Sequence, residues 1–268
     1  MKKVKNLSIL FNAGTINERQ ALKNVSVTLQ NGDFVTVIGG NGAGKSTLLN
    51  CIAGVHTPDR GHIYIDETEV TNWSEHKRAK LLGRVFQDPM MGTAGNMGIE
   101  ENLALAYRRG NFRGLRWGIS NAERAMYREQ LKRLELGLED RLTAKVRLLS
   151  GGQRQALTLL MATLKQPKLL LLDEHTAALD PKTAQKVLAL SEKIIAENGL
   201  TAMMVTHNMR DAIAYGNRLI MMNDGEIVLD ISGEEKKNLT VEALLRAFER
   251  ASGSEFANDR ALLSMGKK

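Results

Sequence analysis

The sequence predicts an α/β fold with a helical insertion, and three observations carry that reading. First, Phe34-Val35-Thr36-Val37-Ile38 is β-branched and nearly all apolar, and it runs through a cluster of glycines into a helix-forming segment. Such a run suits a buried parallel strand. Second, the apolar runs at 169–172 and 202–205 repeat the strand signal, each followed at once by polar residues. Third, residues 100–164 are rich in Ala, Leu, Arg and Glu and hold no proline, which reads as helix.

The elements follow in order. Val25-Ser26-Val27-Thr28-Leu29 alternates as a strand should, and Asn31-Gly32-Asp33 is a turn signal before the strand at 34–38. Ser46-Thr47-Leu48-Leu49 opens a helix. A second helix is expected over 101–108. Ser120-Asn121-Ala122-Glu123 fits a capping box, with helix behind it to about residue 136. Another helix is expected over 151–164. Asp180-Pro181 reads as an N-cap followed by proline at the first helical position, and Asn198-Gly199 as that helix's end. Asn223-Asp224-Gly225 between 219–222 and 226–229 signals a hairpin. A last helix is expected over 240–250, and 257–268 carries no strong pattern.

Composition narrows the function classes. The chain has 268 residues, 43% hydrophobic and 25% charged, the profile of a globular protein with a sizeable core rather than a disordered chain. No apolar run approaches the roughly 20 residues that a spanning helix needs. The single cysteine, Cys51, excludes an intramolecular disulfide framework and a zinc-ligand cluster and fits a reducing compartment. Met1-Lys2-Lys3-Val4-Lys5 is basic but no apolar signal core follows, so no secretory signal is expected. Lysine and arginine number 37 against 30 acids, a net +7 that suits a polyphosphate ligand, an anionic membrane face or nucleic acid, or is simply solvated surface. Aromatics make up only 4%, too few for a base-stacking platform, so nucleic acid is not the expected partner.

Gly39-Gly40-Asn41-Gly42-Ala43-Gly44-Lys45-Ser46-Thr47 matches the phosphate-loop pattern G-x-x-x-x-G-K-[ST]. The chemistry needs these residue types. Glycines let successive backbone N–H groups converge on phosphate oxygens, and the helix that follows aims its positive end at the same anion. Lys45 can reach the β- and γ-phosphates, and Ser46 can offer its hydroxyl to Mg²⁺. A dinucleotide loop does not fit, because the last glycine comes one place early and a lysine follows. Farther on, an apolar strand delivers Asp173-Glu174 to the carboxyl edge of a parallel sheet, where ligands bind. Asp173 is placed to hold Mg²⁺, directly or through water. Glu174 is placed to orient or deprotonate a water facing the γ-phosphate.

Leu149-Ser150-Gly151-Gly152-Gln153, upstream of the acid pair, is the signature sequence of ATP-binding cassette (ABC) proteins. The chain resembles that family over nearly its whole length. The motifs come in the family's order: the phosphate loop, then Gln87 within Val85-Phe86-Gln87-Asp88-Pro89, the signature, and Asp173-Glu174. Ala178-Leu179-Asp180 and then His207 in Val205-Thr206-His207 complete the set.

The resemblance implies a P-loop NTPase (RecA-like) core with an antiparallel β N-terminal subdomain and an inserted α-helical signature subdomain. Within a single domain, 1–268, residues 1–90 and 165–240 would form the core with its β subdomain. Residues 91–164 would form the helical subdomain and 241–268 the C-terminal helix and tail. It implies ATP and Mg²⁺ as cofactors, with Ser46, Gln87 and Asp173 at the metal and Lys45, Gln87, Glu174 and His207 in catalysis. Gly39, Asn41, Gly42, Ala43, Gly44, Lys45, Ser46 and Thr47 would cradle the phosphates, and Phe11 would stack on adenine. Ser150, Gly151, Gly152 and Gln153 would cap the γ-phosphate held by a second copy, with Asp180 reaching across, so that two chains sandwich two ATP head to tail.

The chain departs from the family's pattern at three places. Phe11 stands where tyrosine is frequent, Gly40 where proline is common, and His175 where proline is common. The first leaves an aromatic ring and the second leaves the N–H pattern. The third is either a neutral loop change or a residue with a use of its own.

With no spanning segment, a transport role requires a separate integral membrane permease. That would place the chain peripherally on the cytoplasmic face of the bacterial inner membrane, with a substrate-binding protein as an indirect partner. Met90, Met91, Met97, Ile99, Glu100 and Glu101 follow Gln87 and are either the surface that receives the permease or ordinary core. Residues 106–119 hold four arginines and no acid, interleaved with Phe112, Leu115 and Trp117. They read either as a permease- or membrane-facing insertion or as a solvated loop. The stretches at 11–15, 83–93 and 106–119 resemble the ATPase of bacterial importers linked to aromatic amino acids, chiefly tryptophan or tyrosine. Two other readings share the fold: a soluble ABC ATPase of the iron–sulfur assembly type, and an exporter ATPase. Nucleic-acid-acting ABC proteins usually carry two cassettes or a long coiled coil, which this chain lacks.

Overall fold

A walk along the computed structural model, which describes residues 1–111 and 118–252, meets β1 (Lys2–Phe11), β2 (Arg19–Leu29), β3 (Phe34–Gly39), α1 (Lys45–Ala53), β4 (Arg60–Ile65) and β5 (Thr68–Glu69). Then come α2 (Glu75–Arg78), β6 (Leu82–Val85), α3 (Ile99–Tyr107), α4 (Asn121–Lys132), a 3₁₀ turn (Val146–Leu148), α5 (Gly151–Thr163), β7 (Leu169–Asp173) and α6 (Pro181–Glu197). The chain continues through β8 (Ala202–Val205), α7 (Met209–Ala214), β9 (Arg218–Asn223), β10 (Glu226–Ser232), α8 (Gly233–Lys237) and α9 (Val241–Ser252). It divides into two compact units: Met1–Glu75 with the described part of Thr201–Lys268, and His76–Leu200.

The first unit holds two sheets. One is antiparallel, in the order β2-β1-β4-β5. In the other, β3 lies between β8 and β9, parallel to both, and β10 closes the edge antiparallel to β9. Every residue of β3 from Phe34 to Ile38 is buried, as a central parallel strand requires. Leu244 and Phe248 of α9 pack with Ile38, Leu219 and Met221 of the sheet and Met209 and Ala212 of α7. The second unit pairs β6 with β7 in parallel and builds its core from α3, α4, α5 and α6.

Most elements agree with the sequence reading, and the differences have physical causes. The helix expected to reach about residue 136 ends at Lys132. Glu135 and Gly137 take φ of 55° and 67°, so the chain turns out of the helix before the glycine that signals its end. β1 gave no clean period in the sequence because Asn6 sits at φ 50° and the pairing with β2 shifts between Val4 and Leu7. Such an irregularity breaks the alternation that marks a strand. Residues 112–117 of the arginine-rich stretch and the tail at 257–268 lie outside the described residues.

Candidate functional site

In the first unit the phosphate loop leaves the carboxyl end of β3 and enters α1. Gly44 is the N-cap of α1 at φ 100° and no side chain caps the helix, so its first N–H groups are available to an anion. No acid stands in that first turn to oppose a phosphate. Two glycines are required by close approach: a Cβ on Gly44 would lie 2.6 Å from the Ala21 carbonyl oxygen, and one on Gly39 would strike the Met222 carbonyl oxygen. Lys45 is buried, and its Nζ donates to the Gly39 and Gly40 carbonyls at 2.9 and 3.0 Å. The ammonium therefore folds over the loop that it follows. The tip of the β9–β10 hairpin braces the loop from outside, where the Gly225 N–H donates to Ala43 at 3.1 Å. Ser46 is exposed, Thr47 half-buried, and Asn41 and Gly42 face solvent.

Two aromatic rings meet at the end of β1. Phe11, half-buried at the end of β1, meets His56 edge to face at 5.2 Å between centroids. Arg19, the ladder partner of Phe11, donates to the Gly42 carbonyl. His207 follows β8 and is exposed; because β8 runs parallel to β3, it leaves the sheet at the same edge as the phosphate loop. Phe11, the loop and His207 are thus carried on one unit.

The second unit brings Gln87, Asp173 and Glu174 to one edge, since β6 and β7 are parallel with Val85 opposite Leu172. Gln87 is exposed just past β6. Arg84 Nη2 lies 3.3 Å from Asp173 Oδ2. Glu174 adopts φ 47°, a left-handed conformation that L-residues rarely hold, and its carbonyl accepts from Ala177 N at 2.9 Å. Such a sparsely populated backbone at a carboxylate next to a strand end fits a residue aimed for chemistry.

Ser150 caps α5. Its Oγ accepts from Gln153 N at 3.3 Å while Gln153 Oε1 accepts from Ser150 N at 3.2 Å, a reciprocal capping box. Gln153 also donates to the Leu136 carbonyl at 3.3 Å, so its amide is engaged in holding the helix start. Gly151 and Gly152 present their N–H groups at that positive helix end. A Cβ on Gly152 would collide with Cγ2 of Thr183, and one on Gly151 would lie 3.1 Å from Leu179, so the signature abuts the start of α6. Asp180 caps α6 through Thr183 N at 3.1 Å, and the hydrogen bonds from Thr183 hold its carboxyl below the ordinary value.

The stretch after Gln87 divides into exposed and buried residues. Met90 and Met91 are 41% and 71% exposed, as is Leu148 at 65%, whereas Ile99 is fully buried core. Met97 is half-buried, and Glu100 is buried in an ion pair with Arg124 at 2.8 Å. Glu101 closes the cap of α3 by accepting from Gly98 N at 2.6 Å. Arg108 and Arg109 are likewise committed within the unit, to Glu123 and to the Ala162 carbonyl.

His175 has a structural use. It is fully buried, with Nε2 3.0 Å from Ser191 Oγ, and the Ser191 hydroxyl donates to the Val187 carbonyl at 2.8 Å. Burial pushes its pKa down from 6.5 to about 4. The unfolded chain therefore takes up a proton on His175 near pH 6.5 and the folded chain only near pH 4. The stability present above pH 6.5 is lost as pH falls through that window. Between pH 7 and pH 5 the protein should lose about 2 kcal/mol more than a His175→Asn variant in urea unfolding. Equal losses in the two proteins would contradict a buried neutral imidazole.

Three residues escaped the sequence reading: Arg19 on the phosphate loop, Arg84 on Asp173, and Gln155, whose Nε2 donates to the Phe86 carbonyl at 3.3 Å and so ties α5 to the residue before Gln87. Arg84 left a trace, being a charge in an otherwise apolar strand.

A strand–glycine loop–helix phosphate site, an acid pair at a strand end and a glycine pair at a second helix start define an ATP-binding cassette. The ABC transporter family model matches residues 22–177, and the chain belongs to that family. It is 46% identical over 251 residues to the tyrosine transport ATP-binding protein of Clostridioides difficile, covering 94% of this chain and 100% of that one. It is 35% identical over 236 residues to the ABC transporter ATP-binding protein MJ0796 of Methanocaldococcus jannaschii, covering 85% of this chain and 95% of that one. Among solved structures it resembles the dimeric MJ0796 cassette, with a TM-score of 0.72 and 33% identity over 87% of this chain and 98% of that one. The post-hydrolysis form of that cassette, dimeric with ADP and Pi, matches with a TM-score of 0.71 and 32% identity over the same shares. The chain is thus an ATP-binding, ATP-hydrolysing ABC transporter subunit with the expected P-loop NTPase fold.

Proposed function

We propose that this subunit powers import of an aromatic amino acid through a separate membrane permease. The observation that carries the proposal is the 46% identity, over 94% of this chain, to a protein named for tyrosine transport. No helix among the described residues is long and apolar enough to cross a membrane, and in this reading the channel is a separate permease. The exposed Met90, Met91 and Leu148 are the apolar contacts that a permease's cytoplasmic segment would use, and methionines adapt to such surfaces. The chain would sit on the cytoplasmic face of the membrane, held there by the permease, which in turn receives cargo from a substrate-binding protein.

In this reading two copies pair head to tail. The N–H groups at Gly42, Ala43, Gly44, Lys45, Ser46 and Thr47 bind the phosphates, with Gly39 and Asn41 shaping the loop and Phe11 stacking on adenine. Ser150, Gly151 and Gly152 of one copy cap the γ-phosphate held by the other, with Gln153 holding the helix start and Asp180 lining the interface. Glu174 takes a proton from the attacking water, His207 holds the γ-phosphate, and Gln87 reports on the metal. The exposed hydroxyl of Ser46 and the carboxylate of Asp173 are hard oxygen donors of the kind Mg²⁺ takes. Among the described residues no three His, Cys, Asp or Glu gather to hold a metal by themselves. Bound there, Mg²⁺ neutralises charge on the β- and γ-phosphates.

The test is capture of the tagged chain from gently solubilised membranes of its own organism, read by mass spectrometry. A polytopic permease is expected, and reconstitution with it should give ATP-dependent uptake of tyrosine or tryptophan. Recovery of soluble partners alone would replace this reading with that of a permease-free ATPase.

A further inference from the structure

Arg84 is the charged residue of a four-residue strand whose other members are Leu82, Gly83 and Val85. In the ladder it faces Leu171 of β7. Side chains alternate along a strand, so Asp173, two residues beyond Leu171, projects from the same side as Arg84. The contact follows: Nη2 lies 3.3 Å from Asp173 Oδ2, with the two side chains only 14% and 16% exposed. The guanidinium also lies over the Phe86 ring, 4.6 Å from its centroid. A cation held between a ring face and a carboxylate in a partly dry setting is fixed there by both contacts.

We propose that Arg84 is a resident cation on Asp173 that competes with Mg²⁺ for that carboxylate. The inference rests on the reading of Asp173 as the metal-holding residue. Its physical content is twofold. With no metal present, the guanidinium neutralises a carboxylate that would otherwise repel an arriving polyphosphate, so nucleotide loads with less dependence on metal. When the metal arrives, it must share or displace the arginine, so its binding is weaker than at a bare aspartate. Both effects narrow the gap between nucleotide affinity with and without Mg²⁺.

The experiment measures calorimetric affinity for the non-hydrolysable ATP analogue AMP-PNP, in Mg²⁺ and in EDTA, for wild type, Arg84→Met, Arg84→Lys and Asp173→Asn. The ratio of the two affinities isolates the metal's contribution, since changes in phosphate binding common to both conditions cancel. Arg84→Met should raise the ratio about tenfold, equivalent to about 1.4 kcal/mol of metal coupling. Arg84→Lys keeps the charge and should stay near the wild-type ratio. Asp173→Asn should lower it. An Arg84→Met protein that melts earlier but keeps the wild-type ratio would reduce Arg84 to a structural brace and overturn the proposal alone. A ratio that Asp173→Asn fails to lower overturns the Asp173 assignment and the proposal with it. Should Arg84→Met not fold, Arg84→Gln gives the same comparison.

Discussion

Glu174→Gln is expected to bind ATP at near wild-type affinity, lose at least about 99% of its hydrolysis and accumulate as an ATP-bound dimer. The substitution keeps size and shape, so the turn that holds residue 174 at φ 47°, with Ala177 N on its carbonyl, should persist. What is lost, on the proposed role, is the negative oxygen that would take a proton from water. General-base catalysis of this kind contributes roughly 10²–10⁴-fold. In the proposed site phosphate binding would be carried by other groups: the start of α1, which no side chain caps, the loop N–H groups and Lys45. ATP that binds but is not cleaved holds the closed state, so size-exclusion chromatography with ATP and Mg²⁺ should show the dimer and steady-state turnover should collapse. Unchanged turnover would remove Glu174 from the water-activating role.

Lys45→Ala should weaken ATP binding by about 100-fold, measured by calorimetry. A charge-assisted hydrogen bond contributes roughly 1.5–3 kcal/mol, and 1.4 kcal/mol is a factor of ten. The larger end applies because Lys45 is only 4% exposed, where water screens little. The variant loses something else as well. Nζ holds the Gly39 and Gly40 carbonyls, so removing it relaxes the loop that presents the N–H groups. Lys45→Met, which fills the volume without the charge, separates the two losses: affinity recovered by Met measures packing, and the remainder measures charge. Unaltered affinity in both variants would contradict the phosphate-cradle reading.

The parts of this site that were legible in the sequence are those whose chemistry fixes residue type and spacing together. The phosphate loop could be read because the pattern ties glycine, lysine and serine to set positions along the chain. The capping box at Ser120 could be read for the same reason and is formed; the one at Ser150 is formed as well, though the sequence there reads only as a helix start. The register between strands could not be read. Arg84 meets Asp173 because Val85 pairs with Leu172, and nothing local in either segment records that pairing. Arg19 reaches Gly42 only because β2 folds back so that Arg19 faces Phe11 across the ladder. His175 looked like a loop substitution because its partner, Ser191, lies on the next helix. β1 escaped for a different reason: a left-handed asparagine interrupts its alternation.

The collision that a side chain at Gly152 would make with the methyl of Thr183 has a consequence for how the chain can change. The two positions share one volume, so neither drifts independently. A methyl gained at the signature must be matched by one given up on α6, as in a change of Thr183 to serine. Because Asp180 caps that same helix through the Thr183 N–H, such an exchange would be felt at the starts of α5 and α6 at once.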